Sequence, residues 1–400
     1  MDISGAAKPA GDSGRGPRAM VVLRDQDSEG VVRQALSDLG ADDTVFTIGN
    51  AAAALAAVSG RHSPELLIVD VSEEADPVDR VRDLVGACEP TTNVVVVGET
   101  NDIRLYRELK LAGAAEYFFK PLVTATVART CRAILSEGYQ QPQSRTGRLV
   151  FVAGVRGGVG GTTVAVRTAL RLSEHPPRPV MMLDLDVQGG DAALQLDTTP
   201  NQALTEALER AERVDDLFLE RGIIHVTDRL DLLASLAPVE QPASFRDEAV
   251  VTLLDILTRR YRYVVVDVPA HMAVALWPAL HLPSTLLLVS DARLVGARDV
   301  ARWREAIGPN SAERTTLQVL NMAGAPGSLQ VEEFARGAGQ PPDVVIPYSR
   351  ELAAASRFGA RRQGDWGVLD HGLGPVFRHL TGEPEEPSRP SLLKRMVGAR

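Results

Sequence analysis

The chain has 400 residues and a formal net charge of −9, with 44% hydrophobic, 24% charged and only 4% aromatic residues. That length suits two or three domains, the ordinary apolar fraction excludes wholesale disorder, and the acidic balance argues against a protein whose main business is coating nucleic acid. Two cysteines, Cys88 and Cys131, exclude a disulfide framework and a four-ligand zinc site; they read as ordinary, partly buried thiols in a reducing compartment. No apolar run approaches the ~18 residues needed to span a bilayer. Met1–Gly16 lacks the basic-then-apolar order of a secretory signal, so composition predicts a cytoplasmic protein.

Residues 1–18 are rich in Gly, Ala, Pro and Ser without periodicity and read as a flexible tail. From Met20 short Val-rich runs alternate with helix-period segments. Met20–Leu23, Leu66–Val69, Asn93–Val97 and Glu116–Phe119 read as buried parallel strands. Val31–Leu39, Ala51–Ser59 and Ile103–Ala112 read as helices between them. The order predicts a doubly wound α/β domain over 19–138. A polar stretch over 139–147, with Pro142, reads as a linker. A second series follows over 148–382, with strands at Leu149–Ala153, Val180–Leu183, Ile223–Val226, Leu230–Leu233, Tyr263–Val266, Thr285–Val289, Thr316–Leu320 and Val344–Ile346. It predicts one larger parallel-sheet domain, followed by a tail over 383–400.

Open parallel sheets place their sites at the carboxyl ends of the strands. In the first domain those ends carry Asp25 and Asp27, then Asp70, then Lys120-Pro121. Converging carboxylates suit a magnesium ion, and a lysine suits a phosphorylated aspartate. The set resembles the response-regulator receiver domain. The resemblance implies Asp70 as phospho-acceptor, Lys120 as the conserved lysine and Asp25 as one of two paired acids. The second acid position holds Gln26, and the family's Ser or Thr at the end of the fourth strand is replaced by Gly98, with Thr100 two residues on. These departures favour a receiver-shaped docking module over a phosphorylated switch.

The strongest motif is Gly154-Val155-Arg156-Gly157-Gly158-Val159-Gly160-Gly161-Thr162-Thr163, which follows an apolar strand and opens a helix. Glycines let backbone N–H groups turn around a phosphate, and the helix N-terminus adds its dipole. Downstream lie Asp184-Leu185-Asp186 and Asp267, each at a strand end and placed to organise a metal and water beside a triphosphate.

Over roughly 148–382 the sequence resembles the MinD/ParA family of deviant Walker A ATPases. Within it the resemblance is to the CpaE and TadZ pilus-assembly proteins, carried by Asp184–Leu196, Tyr261–Pro269 and the receiver-like domain in front. The implied fold class is α/β, two doubly wound parallel-sheet domains: a flavodoxin-like receiver, then a P-loop NTPase of the MinD/ParA type. The resemblance implies ATP or ADP with magnesium held by Arg156, Gly157, Gly158, Val159, Gly160, Gly161, Thr162 and Thr163. It also implies Thr162 and Asp267 at the metal, Asp186 as the switch aspartate that activates water, and Asn321 at the adenine. The family's two lysines are absent: Arg156 stands at the first position and Gly161 at the second. A unit charge about 4 Å away near a surface is worth roughly 4 kcal/mol, and losing a preorganised charge costs about 100- to 1,000-fold in rate. The sequence therefore predicts a nucleotide site with weakened binding and little or no hydrolysis.

Arg357, Arg361 and Arg362 form a basic cluster, read as a solvated helix face, and DNA is not expected as a partner. Ser391–Arg400 spaces Leu392, Leu393, Met396 and Val397 helically among basic residues, enough at most for weak or indirect membrane contact. The resulting expectation is a localisation or scaffold factor of a Tad/Flp-type pilus or secretion system. It would be a homodimer, recruited to the cell pole or the inner face of the membrane, with the pilus secretion motor ATPase and inner-membrane assembly proteins as partners. The alternatives are an active ATPase switch for polar positioning and a phosphorelay-controlled output protein.

Overall fold

Five Val- and Leu-rich runs form the first sheet: β1 (Ala19–Leu23), β2 (Thr44–Ile48), β3 (Leu66–Asp70), β4 (Asn93–Gly98) and β5 (Glu116–Phe119). All pair in parallel in the order β2-β1-β3-β4-β5. The computed structural model describes residues 17–41, 43–58, 63–136, 146–174, 178–238, 240, 247–355 and 366–382.

Side chains alternate across this sheet with the two-residue strand period. Val22, Leu67, Val69, Val94 and Val96 pack on one face against the helices Ala51–Val58, Pro77–Ala87 and Ile103–Ala112. Val21, Leu23, Ile68, Val95 and Val97 pack on the other against Gln26–Ser37 and Thr124–Leu135. The edge strand β2 is absent from the sequence reading; it is only partly buried, so its apolar signal is mixed. The first helix starts at Gln26, earlier than the apolar period suggests, because Asp25 caps it by accepting the Ser28 N–H at 2.7 Å.

The second sheet has eight strands: β6 (Arg148–Gly154), β7 (Val180–Asp184), β8 (Ile224–His225), β9 (Leu230–Ala234), β10 (Tyr263–Val268), β11 (Ser284–Asp291), β12 (Arg314–Ala323) and β13 (Val344–Pro347). Their order is β13-β12-β11-β6-β10-β7-β9-β8. The expectation of an all-parallel sheet is corrected at one edge: β8 is a two-residue strand antiparallel to β9, joined to it by a tight turn. Strand β6 lies centrally, with β10 on one side and β11 on the other, so the connections diverge where its carboxyl end opens into the glycine loop.

Gly147, placed by sequence at the end of the linker, is already part of this second body. Its N–H donates to the Thr258 carbonyl at 2.6 Å, and a Cβ there would lie 1.9 Å from the Tyr261 carbonyl oxygen. Most of 1–18 and of the 139–147 linker, the Arg357/Arg361/Arg362 cluster and the 391–400 tail fall outside the described residues. No described helix is long and apolar enough to cross a membrane. Cys88 and Cys131 are both fully buried, and neither forms a disulfide.

The helix after the glycine loop, Gly161–Glu174, is fixed from behind. Buried Arg167 forms a two-pronged pair with Asp370 of the helix Gly367–Gly372, at 2.6 and 2.9 Å, with the Trp366 ring 5.5 Å away. A planar guanidinium matches a carboxylate in this way where a lysine would not. Arg167→Ala is expected to lower stability by about 1–3 kcal/mol in denaturant unfolding, with Arg167→Lys recovering only part of the loss.

Candidate functional site

The glycine loop curls back on itself at the carboxyl end of β6. Gly158 and Gly160 adopt φ of 77° and 85°, a region that favours glycine. The Val155 N–H is anchored on the Val289 carbonyl at 2.9 Å, and Val164 N–H closes the first helical turn on the Gly160 carbonyl.

Beside the loop, β7 and β10 end in register, so that Asp184 and Asp267 are direct neighbours. Burial, the Asp184 charge and the further charges of Asp191 and Asp186 hold the Asp267 carboxyl well above the usual carboxylate range, although the Thr162 hydroxyl bonds it and opposes the shift. Burial likewise pushes Asp184 up to about 6, against the N–H bonds donated by Ala192 and Asp186, each at 3.1 Å. Asp186 accepts the Gly189 N–H at 2.8 Å, which folds Asp186–Gly190 into a tight turn. Gly190 is obligatory there: a Cβ would lie 2.4 Å from Asp184 Oδ2.

The structure thus brings Thr162, Asp186 and Asp267 close to one another. Beside them stand Asp184, which belongs to the same strand-end motif, and Asp191, which the sequence did not single out. Two buried carboxylates that resist ionisation thus stand next to a hydroxyl and two further acids.

The two motif positions that lack lysine behave differently. Arg156 turns sideways: its Nε lies 3.4 Å from Oδ2 of Asp299 on the helix Leu294–Ile307, an acid that also accepts Arg298 at 2.9 and 3.0 Å. Gly161 opens the loop helix with no side chain; a Cβ there would stand 3.3 Å from the Gly154 N and 4.0 Å from Asp267 Oδ1. Asn321, expected at an adenine, has both polar atoms engaged by backbone: Nδ2 donates to the Val159 carbonyl and Oδ1 accepts the Met322 N–H, each at 2.9 Å. Gly160 leaves room for this brace, since a Cβ would be 2.4 Å from Asn321 Nδ2.

In the first domain, Asp25, Asp70 and Lys120 converge as expected. Lys120 Nζ lies 2.7 Å from Asp25 Oδ2 and 2.6 Å from Asp70 Oδ2. Burial opposes the Lys120 charge, but the two aspartates hold its pKa above the ordinary lysine value. Burial would raise Asp25, yet Lys120 and the Ser28 hydrogen bonds outweigh it and bring the carboxyl down to about 2. Asp70 is fully buried, and its Oδ1 accepts both the N–H and the hydroxyl of Ser72, at 2.9 and 2.6 Å. Asp27 is exposed in the helix's first turn. Where a receiver carries Ser or Thr, Gly98 makes room for Tyr117: a Cβ would stand 2.7 Å from the tyrosine oxygen, which donates to the Thr100 carbonyl at 2.7 Å. Ser72 and Tyr117 were not singled out from sequence; Ser72 bonds Asp70 only two residues away, whereas the partner of Tyr117 becomes visible only once β4 and β5 align.

Among solved structures, the chain is similar to a ParA family ATPase from Chlorobium tepidum, at 24% identity and a TM-score of 0.51, over 59% of this chain and 99% of that one. It is similar to MinD from Pyrococcus horikoshii, crystallised with Mg-ADP, at 18% identity and a TM-score of 0.46, over 58% and 96%. It is also similar to a pilus assembly protein CpaE from Caulobacter crescentus, at 30% identity and a TM-score of 0.27, over 30% and 97%. The pilus-assembly structures cover the N-terminal part of this chain and the ATPases cover the rest. No family model matches the chain, and no curated protein sequence matches it. The fold is α/β, a receiver-like sheet followed by a MinD/ParA-type P-loop sheet.

The acid pair predicts a pH signature. Asp184 binds its proton more tightly in the folded than in the unfolded chain, so its stabilising contribution is complete below about 3.8 and lost as pH rises through about 6. In metal-free buffer the melting temperature should therefore fall between pH 4 and 6.5 (roughly the span of that titration). Asp184→Asn should flatten the slope while lowering stability through its lost N–H acceptor.

Proposed function

We propose that this chain is a localisation or scaffold factor for assembly of a Tad/Flp-type pilus or secretion system. It would use a MinD-like dimerising fold that takes ATP or ADP with magnesium and turns it over slowly or not at all. The observation that carries the reading is the fate of the two motif cations: Arg156 is bound to Asp299 and Gly161 has no side chain. The loop keeps its shape, its helix N-terminus and Thr162, which suffice for binding through backbone amides. What it lacks is preorganised positive charge aimed at the phosphates, the largest catalytic contribution in phosphoryl transfer.

Thr162 and Asp267 would hold the magnesium, with Asp184 beside them, and the ion bound there would supply the positive charge that these buried carboxylates otherwise lack. Asp186, on its tight turn, would orient water. Asn321 would brace the loop from below, and Gly157, Gly158, Val159, Gly160 and Thr163 would present backbone and hydroxyl to phosphate. The pilus setting rests on the sequence motifs and on the name carried by the Caulobacter protein similar to the N-terminal part. The partners proposed with it are a second copy of the chain, the system's secretion motor ATPase and inner-membrane assembly proteins, met at the cell pole or the membrane's inner face.

A working ATPase switch is the second reading. In its favour, Arg156 is partly exposed and its pair with Asp299 is single and long, the kind of contact that contributes little and breaks readily. Phosphorelay output has less support, since both Asp70 oxygens are already bonded and the side chain is fully buried.

Purified chain should release phosphate from ATP at a rate near background, and Gly161→Lys should raise that rate about 100- to 1,000-fold. Wild-type turnover equal to that of the variant would instead support the working switch. Incubation with a small acyl-phosphate donor should leave Asp70 unmodified by intact mass, whereas labelling that Asp70→Asn abolishes would favour the phosphorelay reading.

A further inference from the structure

The turn between β8 and β9 carries Arg229, which is 8% exposed although nothing in its own domain pairs with its terminal nitrogens among the described hydrogen bonds. Those nitrogens reach across to the first domain. One donates to the Val58 carbonyl at 2.8 Å, the other to the Ala87 carbonyl at 2.9 Å. Val58 and Ala87 are the last residues of the helices Ala51–Val58 and Pro77–Ala87. The final carbonyls of a helix have no partner within it and carry the negative end of its dipole, so a guanidinium there satisfies two orphan acceptors and two dipoles together. Arg178, just before β7, approaches the same ridge: its Nε lies 3.6 Å from where a Cβ on Gly86 would stand. Burial depresses the Arg229 pKa, with Asp228 and Glu89 among the charges that favour its cationic form.

The placement of this contact follows from topology. Arg229 sits where β9 begins, and β9 runs parallel to β7 and β10, whose far ends carry Asp184 and Asp267. The two helices lead back to the starting ends of β3 and β4, away from Asp70 and Lys120. The two domains therefore meet base to base, and their candidate sites face in opposite directions.

We propose that the β8–β9 turn is the docking surface for the N-terminal domain, with Arg229 as its anchor, so that the receiver-like module is a fixed part of the ATPase-like body rather than a tethered sensor. Docking at the base leaves the glycine-loop face of each chain open to nucleotide or a second copy, and carries the receiver-like module outward on the far side. Its own carboxyl-end face, with the exposed Ile103 and Phe119, then points away from the nucleotide site.

The test uses the full chain with a protease site inserted between residues 137 and 145. After cleavage, the wild-type fragments should co-elute on gel filtration. Arg229→Ala should weaken their association about a hundredfold or more, as loss of a buried charged partner at an interface does, and Arg229→Lys should restore only part of it. The intact wild-type chain should also unfold in one thermal transition. Wild-type fragments that separate, two wild-type transitions, or Arg229→Ala fragments that remain together as tightly as wild type would each overturn the proposal.

Discussion

Asp184 and Asp267 end adjacent strands side by side, both buried and both resisting ionisation, and the loop beside them offers no lysine to balance them. Packing two carboxylates into a low-dielectric sheet end is costly unless a counter-charge or a proton accompanies them. The surrounding structure is organised around this cost. Gly190 brings a backbone turn against Asp184, two N–H groups and the Thr162 hydroxyl point at the pair, and Gly161–Glu174 is held rigid from behind by Arg167 and Asp370. On the proposed reading such a site would take up a cation and accelerate chemistry poorly, because the positive charge would have to arrive with the ligand instead of waiting in the loop.

The receiver-like domain solves the opposite problem by internal neutralisation. Lys120 sits between Asp25 and Asp70, Ser72 takes the remaining Asp70 oxygen, and Tyr117 occupies the space over Gly98. Every group that would meet a phosphoryl oxygen is already bonded to another group of the same domain. A module closed at its site and clamped at its base through Arg229 has its sides left for recognition.

Much of this was legible in the sequence, and the remainder failed for identifiable reasons. The central strands read clearly because parallel strands covered on both faces are continuous apolar runs, as in LLIVD and YVVVDV. Strand β2 was missed because an edge strand buries only part of itself, whereas β8 was read within Ile223–Val226 but its antiparallel pairing with β9 was not, since apolar pattern does not encode strand direction. The glycine loop, Thr162, Asp186 and Asp267 were visible as a motif. The Arg156–Asp299 pair, the Asn321 brace, Tyr117 over Gly98 and the Arg229 anchor were not. Each joins residues distant in sequence, and none belongs to a local pattern that announces its partner.

The central claim is that this fold binds nucleotide as a signal and does not consume it. Calorimetric titration of the purified chain with ATP and with ADP, each with magnesium, read together with molar mass in solution, tests it most directly. Binding of either nucleotide with a shift from monomer to dimer and no accompanying phosphate release is the predicted result. Heat from sustained turnover, or no binding of either nucleotide at all, would contradict it.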